Sequence, residues 1–396
     1  MIVLTVLLSM LGVYLSAYVV YQTVLFIGNA LIPDAPEFTP AKIRRFNVVI
    51  PAHNEELYLP RLLESLRAQD YPKEGYRATV VADNCTDGTA AASRPFDVDL
   101  LERADASRKG KGHVIRWALE KIDTDRFDAI VIVDADSIVE TEFLKYLNLQ
   151  MERGDRAIQC YNGVANPGQS WFTRLMDVSR TIGNDILHPG KRKLGLSSYL
   201  MGNGMCFDVR LLKAHGWDAF SVGEDWEYYA RLVLAGEYIG YSKFSRVFHQ
   251  ESLNLKQASS QRIRWSSGRF QVLREYGFSL FMKGLRNRNL RCLDASLPLV
   301  FPNPSLGMNL TFVGTALALA YWLLGGGVVL FAWYLSLVLI QVALFIVGVF
   351  HTKDRMANAL SLVLAPVFLG WKMGIDILSF CGVGRKDWKR TDRKLS

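Results

Sequence analysis

The chain has 396 residues, half of them hydrophobic, and a formal net charge of +8. That is enough for one large domain with membrane segments or for two ordinary domains. Its basic clusters flank apolar segments and follow no aromatic-studded groove, which excludes nucleic acid as a partner, and its five cysteines form no C-x-x-C pair, which excludes a thiolate metal centre.

Residues 2–31 carry no charge. The run exceeds the roughly 20 residues that cross a bilayer, and nothing basic precedes it as in a signal peptide, so 1–35 reads as an N-terminal transmembrane helix. Residues 41–275 read as a soluble domain. "FNVVIPAHNEE" (46–56) is a strand entering a polar loop, and 57–71 is a helix with Leu59, Leu62, Leu63 and Leu66 on one face. "RATVVADNCTDGTA" (77–90) is a second strand that stops at Asp83, "KGHVIRWALEKI" (111–122) a helix, and "DAIVIVDADSI" (128–138) a third strand ending in Asp134 and Asp136. Strands alternating with helices predict an α/β domain with a mostly parallel sheet, which binds ligands at the carboxyl ends of its strands. Glu55, Asp83, Asp134 and Asp136 all fall at such ends.

Residues 276–304 are expected to be interfacial. Two transmembrane helices follow within 305–350, turned at "GGG" (325–327). The apolar stretch 356–370 is short and interrupted by Pro366, so 356–383 reads as re-entrant or interfacial, and 384–396 as a basic tail. Three crossings put "KIRR" (42–45), "RNRNLR" (286–291), "HTKDR" (351–355) and "RKDWKRTDRK" (385–394) all on the cytoplasmic side, as basic-residue bias demands.

Two carboxylates one residue apart at a strand end suit a hard divalent cation, since Mg²⁺ and Mn²⁺ prefer oxygen ligands. The pattern D-A-D alone is equally a polar turn. Around it stand "PAHNE" (51–55), "ADNCTDGT" (82–89), "RKGKG" (108–112), "GED" (223–225) and "QRIRW" (261–265). In this order the motifs resemble the family 2 glycosyltransferases, which use the GT-A nucleotide-sugar fold; the resemblance covers about 45–275.

The resemblance implies a nucleotide-sugar site of Pro51, Ala52, Glu55, Asp83, Lys111, Asp134, Asp136, Gln261, Arg264 and Trp265. Asp134 and Asp136 would hold Mg²⁺ or Mn²⁺, with Lys111, or Lys109 in its place, near the diphosphate. Asp225 stands where relatives place the general base, and Gly202, Asn203, Gly204, Glu224, Trp226 and Trp265 would meet the acceptor. Asp87 and Gly88 read as a structural turn, and Glu227 as solvated.

The implied donor is a UDP-sugar. "QRIRW" occurs both in processive polysaccharide synthases and in single-transfer enzymes such as ceramide glucosyltransferases, and the reading leans toward a growing polysaccharide over a membrane lipid. It places the enzyme in a bacterial plasma membrane with its catalytic domain in the cytoplasm, with a second copy or a secretion subunit as a further partner. A nucleotidyltransferase lacks its glycine-rich triphosphate loop here, and a transporter lacks its inverted repeats.

Overall fold

The computed structural model describes residues 2–33, 42–301 and 303–384, so the tail expected at 384–396 lies outside them apart from Gly384. Among the described residues eight strands form one mixed sheet: β1 (Phe46–Ala52), β2 (Tyr76–Asp83), β3 (Asp99–Arg103), β4 (Ala129–Ile132), β5 (Ser137–Val139), β6 (Ala157–Val164), β7 (Met205–Asp208) and β8 (Ile239–His249). Their order is β3-β2-β1-β4-β7-β6-β8-β5. The pairs β1–β2, β1–β4, β2–β3 and β6–β8 are parallel; β4–β7, β6–β7 and β5–β8 are antiparallel.

Period-2 side chains divide the strands between two cores. Val49, Val81, Ile130 and Ile132 pack toward Val114, Ile115 and Ala118 of the helix Lys111–Lys121. Val48, Ile50, Val80 and Val131 pack toward Leu59, Leu62, Leu63 and Leu66, the predicted face of the helix Leu59–Arg67. Burial on both faces explains why these strands read as unbroken apolar runs.

The run expected as a third strand divides. β4 stops at Ile132, Val133 N donates to Val49 O at 3.1 Å, and β5 pairs with β8 at the far edge of the sheet. Asp134–Asp136 is the crossing between those positions. The carboxylates therefore stand where the chain leaves the parallel half of the sheet, a place that opens a crevice.

Among the described residues four helices are long and apolar enough to cross a membrane: Ile2–Leu31, Pro304–Leu323, Val328–His351 and Arg355–Phe380. The turn at 325–327 begins with Gly325 at φ +91°, a conformation that favours glycine. Before these helices, Phe278–Arg286 leaves Phe278, Phe281 and Leu285 exposed on one face.

The last helix is longer than the apolar stretch in the sequence. Pro366 lies in the first turn of Ala365–Phe380, where its missing N–H costs nothing, so the helix continues past it. Both ends are tied to the sheet-bearing domain. At its start Arg174 pairs with the N-cap Asp354 at 2.8 Å, and Asn358 donates to Asp177 at 3.0 Å. At its end Ser379 donates to Ile263 O at 3.2 Å, and Arg274 to Phe380 O at 3.0 Å. Met356, Leu360, Val363 and Val367 are exposed at helical spacing on the face away from these contacts.

Candidate active site

A cavity of about 710 Å³ follows the carboxyl ends of β1, β2 and β4 and continues to the long apolar helices. Its first wall is the loop after β1. Asn54 turns it with φ +59°, accepting from Thr86 N at 2.7 Å, while Glu55 N donates to Thr89 Oγ1 at 2.7 Å. Asp87 and Gly88 form the turn that receives it: Asp87 accepts from Thr89 N at 3.0 Å, and Gly88 N donates to Glu56 at 2.7 Å.

Asp83 closes β2 and is already ionically held. Arg103, at the end of the neighbouring β3, donates to its Oδ1 at 2.5 Å, and both side chains are buried. A buried carboxylate needs such a partner, and the pairing fixes its orientation toward the cavity.

Asp134 and Asp136 both line the cavity, while Ala135 between them points into the core. Lys111 opens its helix after Gly110 (φ +115°) and donates to Asp134 and to Gly202 O. Burial alone would lower the Lys111 pKa, but Asp134, Glu224 and Asp225 outweigh it and hold it above its ordinary value. Among the described residues no three His, Cys, Asp or Glu side chains gather around a common metal position. The aspartate pair nonetheless fits a hard cation whose other ligands come from phosphate and water, the usual arrangement for Mg²⁺.

Glu224 and Asp225 open the helix Glu224–Ala235 on the opposite wall. Burial raises both carboxyl pKa values; the Asp225 charge lifts Glu224 further, while Lys111 pulls both down. Two interacting acids titrate as a pair. Asp225 Oδ1 accepts from Trp226 N at 2.8 Å. A Cβ at Gly202 (φ +77°) would lie 3.2 Å from Asp225 Oδ2, so the glycine leaves room for that carboxylate.

"QRIRW" lies on the helix Leu255–Val272, and Gln261, Arg264 and Trp265 all reach the cavity. Arg262 sits 4.5 Å from the Trp265 ring centre and pairs with the buried Glu251 at 2.7 Å. Trp226 stacks on Tyr199 (4.9 Å between ring centres), with Arg269 over it at 4.4 Å.

Of the residues expected from the sequence, Pro51, Ala52, Glu55, Asp83, Lys111, Asp134, Asp136, Gly202, Glu224, Asp225, Trp226, Gln261, Arg264 and Trp265 line this one cavity. Asn203 and Gly204 are not in its wall. Asn203 is buried beneath it, accepting from Asp134 N at 3.0 Å and donating to Ser137 at 3.0 Å, so it props the aspartate turn from below. A side chain at Gly204 would collide with Val247. Glu227 is not solvated as expected: it is buried, accepting from Phe220 N at 3.0 Å and Ser221 N at 2.8 Å.

Arg103, Arg180, Arg269 and Lys372 went unnoticed in the sequence. Arg269 follows Trp265 by one helical turn and Lys372 is a charge inside an apolar run, both readable signals; Arg180 carries none.

The family described as glycosyltransferase like family 2 matches residues 44–268. A probable glycosyltransferase of Sulfolobus acidocaldarius is 25% identical over 278 residues, 67% of this chain and 58% of its own length. A beta-monoglucosyldiacylglycerol synthase of Nostoc sp. is 24% identical over 238 residues, 58% of this chain and 50% of its own length. The chain thus spans between half and three-fifths of these curated relatives. Among solved structures, the mannosyltransferase PcManGT of Pyrobaculum calidifontis, in complex with GDP-Man and Mn²⁺, shares the fold, with a TM-score of 0.59 at 18% identity, over 94% of this chain and 98% of its own.

Proposed function

The chain belongs to glycosyltransferase family 2, and from that membership we propose a metal-dependent inverting glycosyltransferase that moves a sugar from a UDP-sugar to a membrane lipid. The observation that carries the lipid reading is the extent of the cavity. Its wall includes Phe26, Ile182, Leu187, Leu344 and Phe345, and Phe26, Leu344 and Phe345 come from helices apolar enough to cross a membrane. Apolar side chains in the cavity that holds the proposed base suit an acyl or prenyl chain better than a hydrated sugar chain.

In this reading Arg103 holds Oδ1 of Asp83 and leaves Oδ2 to accept from the nucleobase, with Glu55 on the ribose. Lys111 and Arg264 face the diphosphate. A Mg²⁺ or Mn²⁺ ion held by Asp134 and Asp136 would neutralise charge on the departing diphosphate. Asp225 takes the proton of the acceptor hydroxyl as its oxygen bonds to the anomeric carbon. The carbon–oxygen bond to the diphosphate breaks on the opposite face, its electron pair leaves with UDP, and the anomeric centre inverts. Trp265 offers a flat face to the acceptor sugar or head group.

The protein acts in this reading at a bacterial plasma membrane, with the sheet domain in the cytoplasm. A second reading, extension of a polysaccharide, is favoured by the "QRIRW" motif. Supplying the lipid-embedded protein with labelled UDP-sugars and weighing the products decides between them. One sugar on an extractable lipid supports the proposal; a ladder of sugars supports the synthase. Calorimetric titration with UDP and GDP in the presence of Mn²⁺ tests the base: tighter binding of GDP overturns the UDP assignment.

A further inference from the structure

Three cations of the cavity are already paired with carboxylates: Lys111 with Asp134, Arg262 with Glu251 and Lys372 with Asp376. Arg180 and Arg269 are not. Among the described residues neither guanidinium has a carboxylate within ion-pair distance. Arg180 lies 5.8 Å from the Trp265 ring centre, and Arg269 donates to Pro298 O at 2.7 Å and covers Trp226. Among the described residues the buried Nε of Arg269 has no hydrogen-bond partner. Burial lowers the pKa of both arginines, which measures how poorly the charge is solvated there, and both feel the negative charge of Asp225.

Two further features mark this corner as a ligand site. Arg180 leads directly into a π-helical stretch, Ile182–Leu187, an irregularity found frequently at functional sites. That stretch supplies Ile182, Gly183 and Asn184 to the cavity wall, beside Phe26 and Phe345 of the membrane helices. The two guanidiniums thus line the same cavity as Asp225 and these apolar side chains. In the proposed reaction the donor diphosphate has other partners, Lys111 and Arg264 and the metal that Asp134 and Asp136 would hold.

We propose that Arg180 and Arg269 bind a phosphate group of the acceptor, so that the substrate is an anionic lipid whose phosphodiester or diphosphate lies between its apolar chain and the hydroxyl presented to Asp225. The guanidinium fork matches phosphate oxygens, and the flanking Trp265 and Trp226 rings keep it oriented. This inference rests on the lipid-acceptor reading above and adds the charge of the head group.

The test separates the two. Membrane lipids of the source cells are split on an anion-exchange resin into neutral and acidic fractions, and each is supplied to the full-length protein in phosphatidylcholine nanodiscs with labelled UDP-sugar. Acceptor activity is expected in the acidic fraction, with the labelled product retained on the resin and phosphatidic acid competing where diacylglycerol does not. Arg180→Gln and Arg269→Gln should each raise the KM for the acidic fraction about tenfold or more, the weight of a charge-assisted hydrogen bond, with UDP affinity unchanged. Arg180→Lys should recover part of the loss. Transfer to the neutral fraction overturns the anionic head group and leaves the lipid reading standing. Transfer to neither fraction, with UDP binding intact, overturns both. Loss of UDP binding in the arginine variants assigns them to the donor and overturns the proposal.

Discussion

Gly268 of the helix that carries "QRIRW" meets the backbone of Gly223, the residue before the acidic pair: a Cβ at Gly268 would lie 2.6 Å from Gly223 N. The contact brings the wall bearing Arg264 and Trp265 against the start of the helix bearing Glu224 and Asp225. Gly268→Ala must push those walls apart, since backbone cannot swing aside as a side chain does. Overpacking of this kind costs about 1–3 kcal/mol. We expect a lower Tm and a fall in transfer much larger than any change in UDP affinity; transfer near wild type would show that the distance between the walls is not critical.

Asp225 and Asp136 line one cavity but serve different partners in the proposed reaction. Asp225→Asn keeps size and polarity but removes the proton acceptor, and loss of a general base costs about 10²- to 10⁴-fold in rate. Metal-dependent UDP binding should survive in that variant and weaken in Asp136→Asn. Calorimetry beside a transfer assay reads both. Should Asp225→Asn keep wild-type transfer, Glu224 becomes the base; should it lose UDP as Asp136→Asn does, the carboxylate belongs to the donor.

The pH profile follows from the direction of the Asp225 shift. Its folded pKa lies above the ordinary value of about 3.9, so the proposed base takes up a proton at a higher pH than an exposed aspartate. Transfer should fall as pH is lowered through that raised value, and the limb should disappear from the residual rate of Asp225→Asn. Stability carries the opposite face of the same shift. A raised carboxyl pKa means that the folded state disfavours the anion, a cost absent below the unfolded pKa and full above the folded one. Asp225→Asn should therefore raise Tm more at about pH 8 than at about pH 4. An equal change at both, by scanning calorimetry, would mean that the carboxylate is not strained.

The first half of the sheet was legible because its signals are local. Apolar runs ending in Glu55, Asp83 and Asp134 report strand and edge together, and four leucines at helical spacing report the covering helix. Pairing across long separations was not: nothing near Ser137 says that it will join His249 instead of continuing β4. The same limit hid the site's second layer. Asn203 looks like loop chemistry until its carboxamide is seen beneath Asp134, and Arg103 looks solvated until β3 aligns it with Asp83. Lys372 and Asp376 cut the apolar count of the last helix, which is why the stretch seemed to end at 370; their ion pair and the hydrogen bonds from Ser266 and Asn303 make them internal.

That last helix gives the topology its test. A helix of 26 residues can cross a membrane by length and composition, yet Asp354 at one end and Ser379 at the other both bond to the sheet domain. One crossing cannot leave both ends on one side. An amphipathic helix lying in the interface can, with Met356, Leu360, Val363 and Val367 toward the acyl chains. Cys381 follows the helix directly and is exposed, which makes it a native reporter. In a variant with the other four cysteines replaced, an impermeant maleimide should leave Cys381 unmodified in intact cells and modify it after permeabilisation. A second variant with Gly326→Cys in the turn between the two preceding helices should be modified in intact cells. Modification of Cys381 from outside would make Arg355–Phe380 a crossing helix and separate its end from the catalytic domain it touches here.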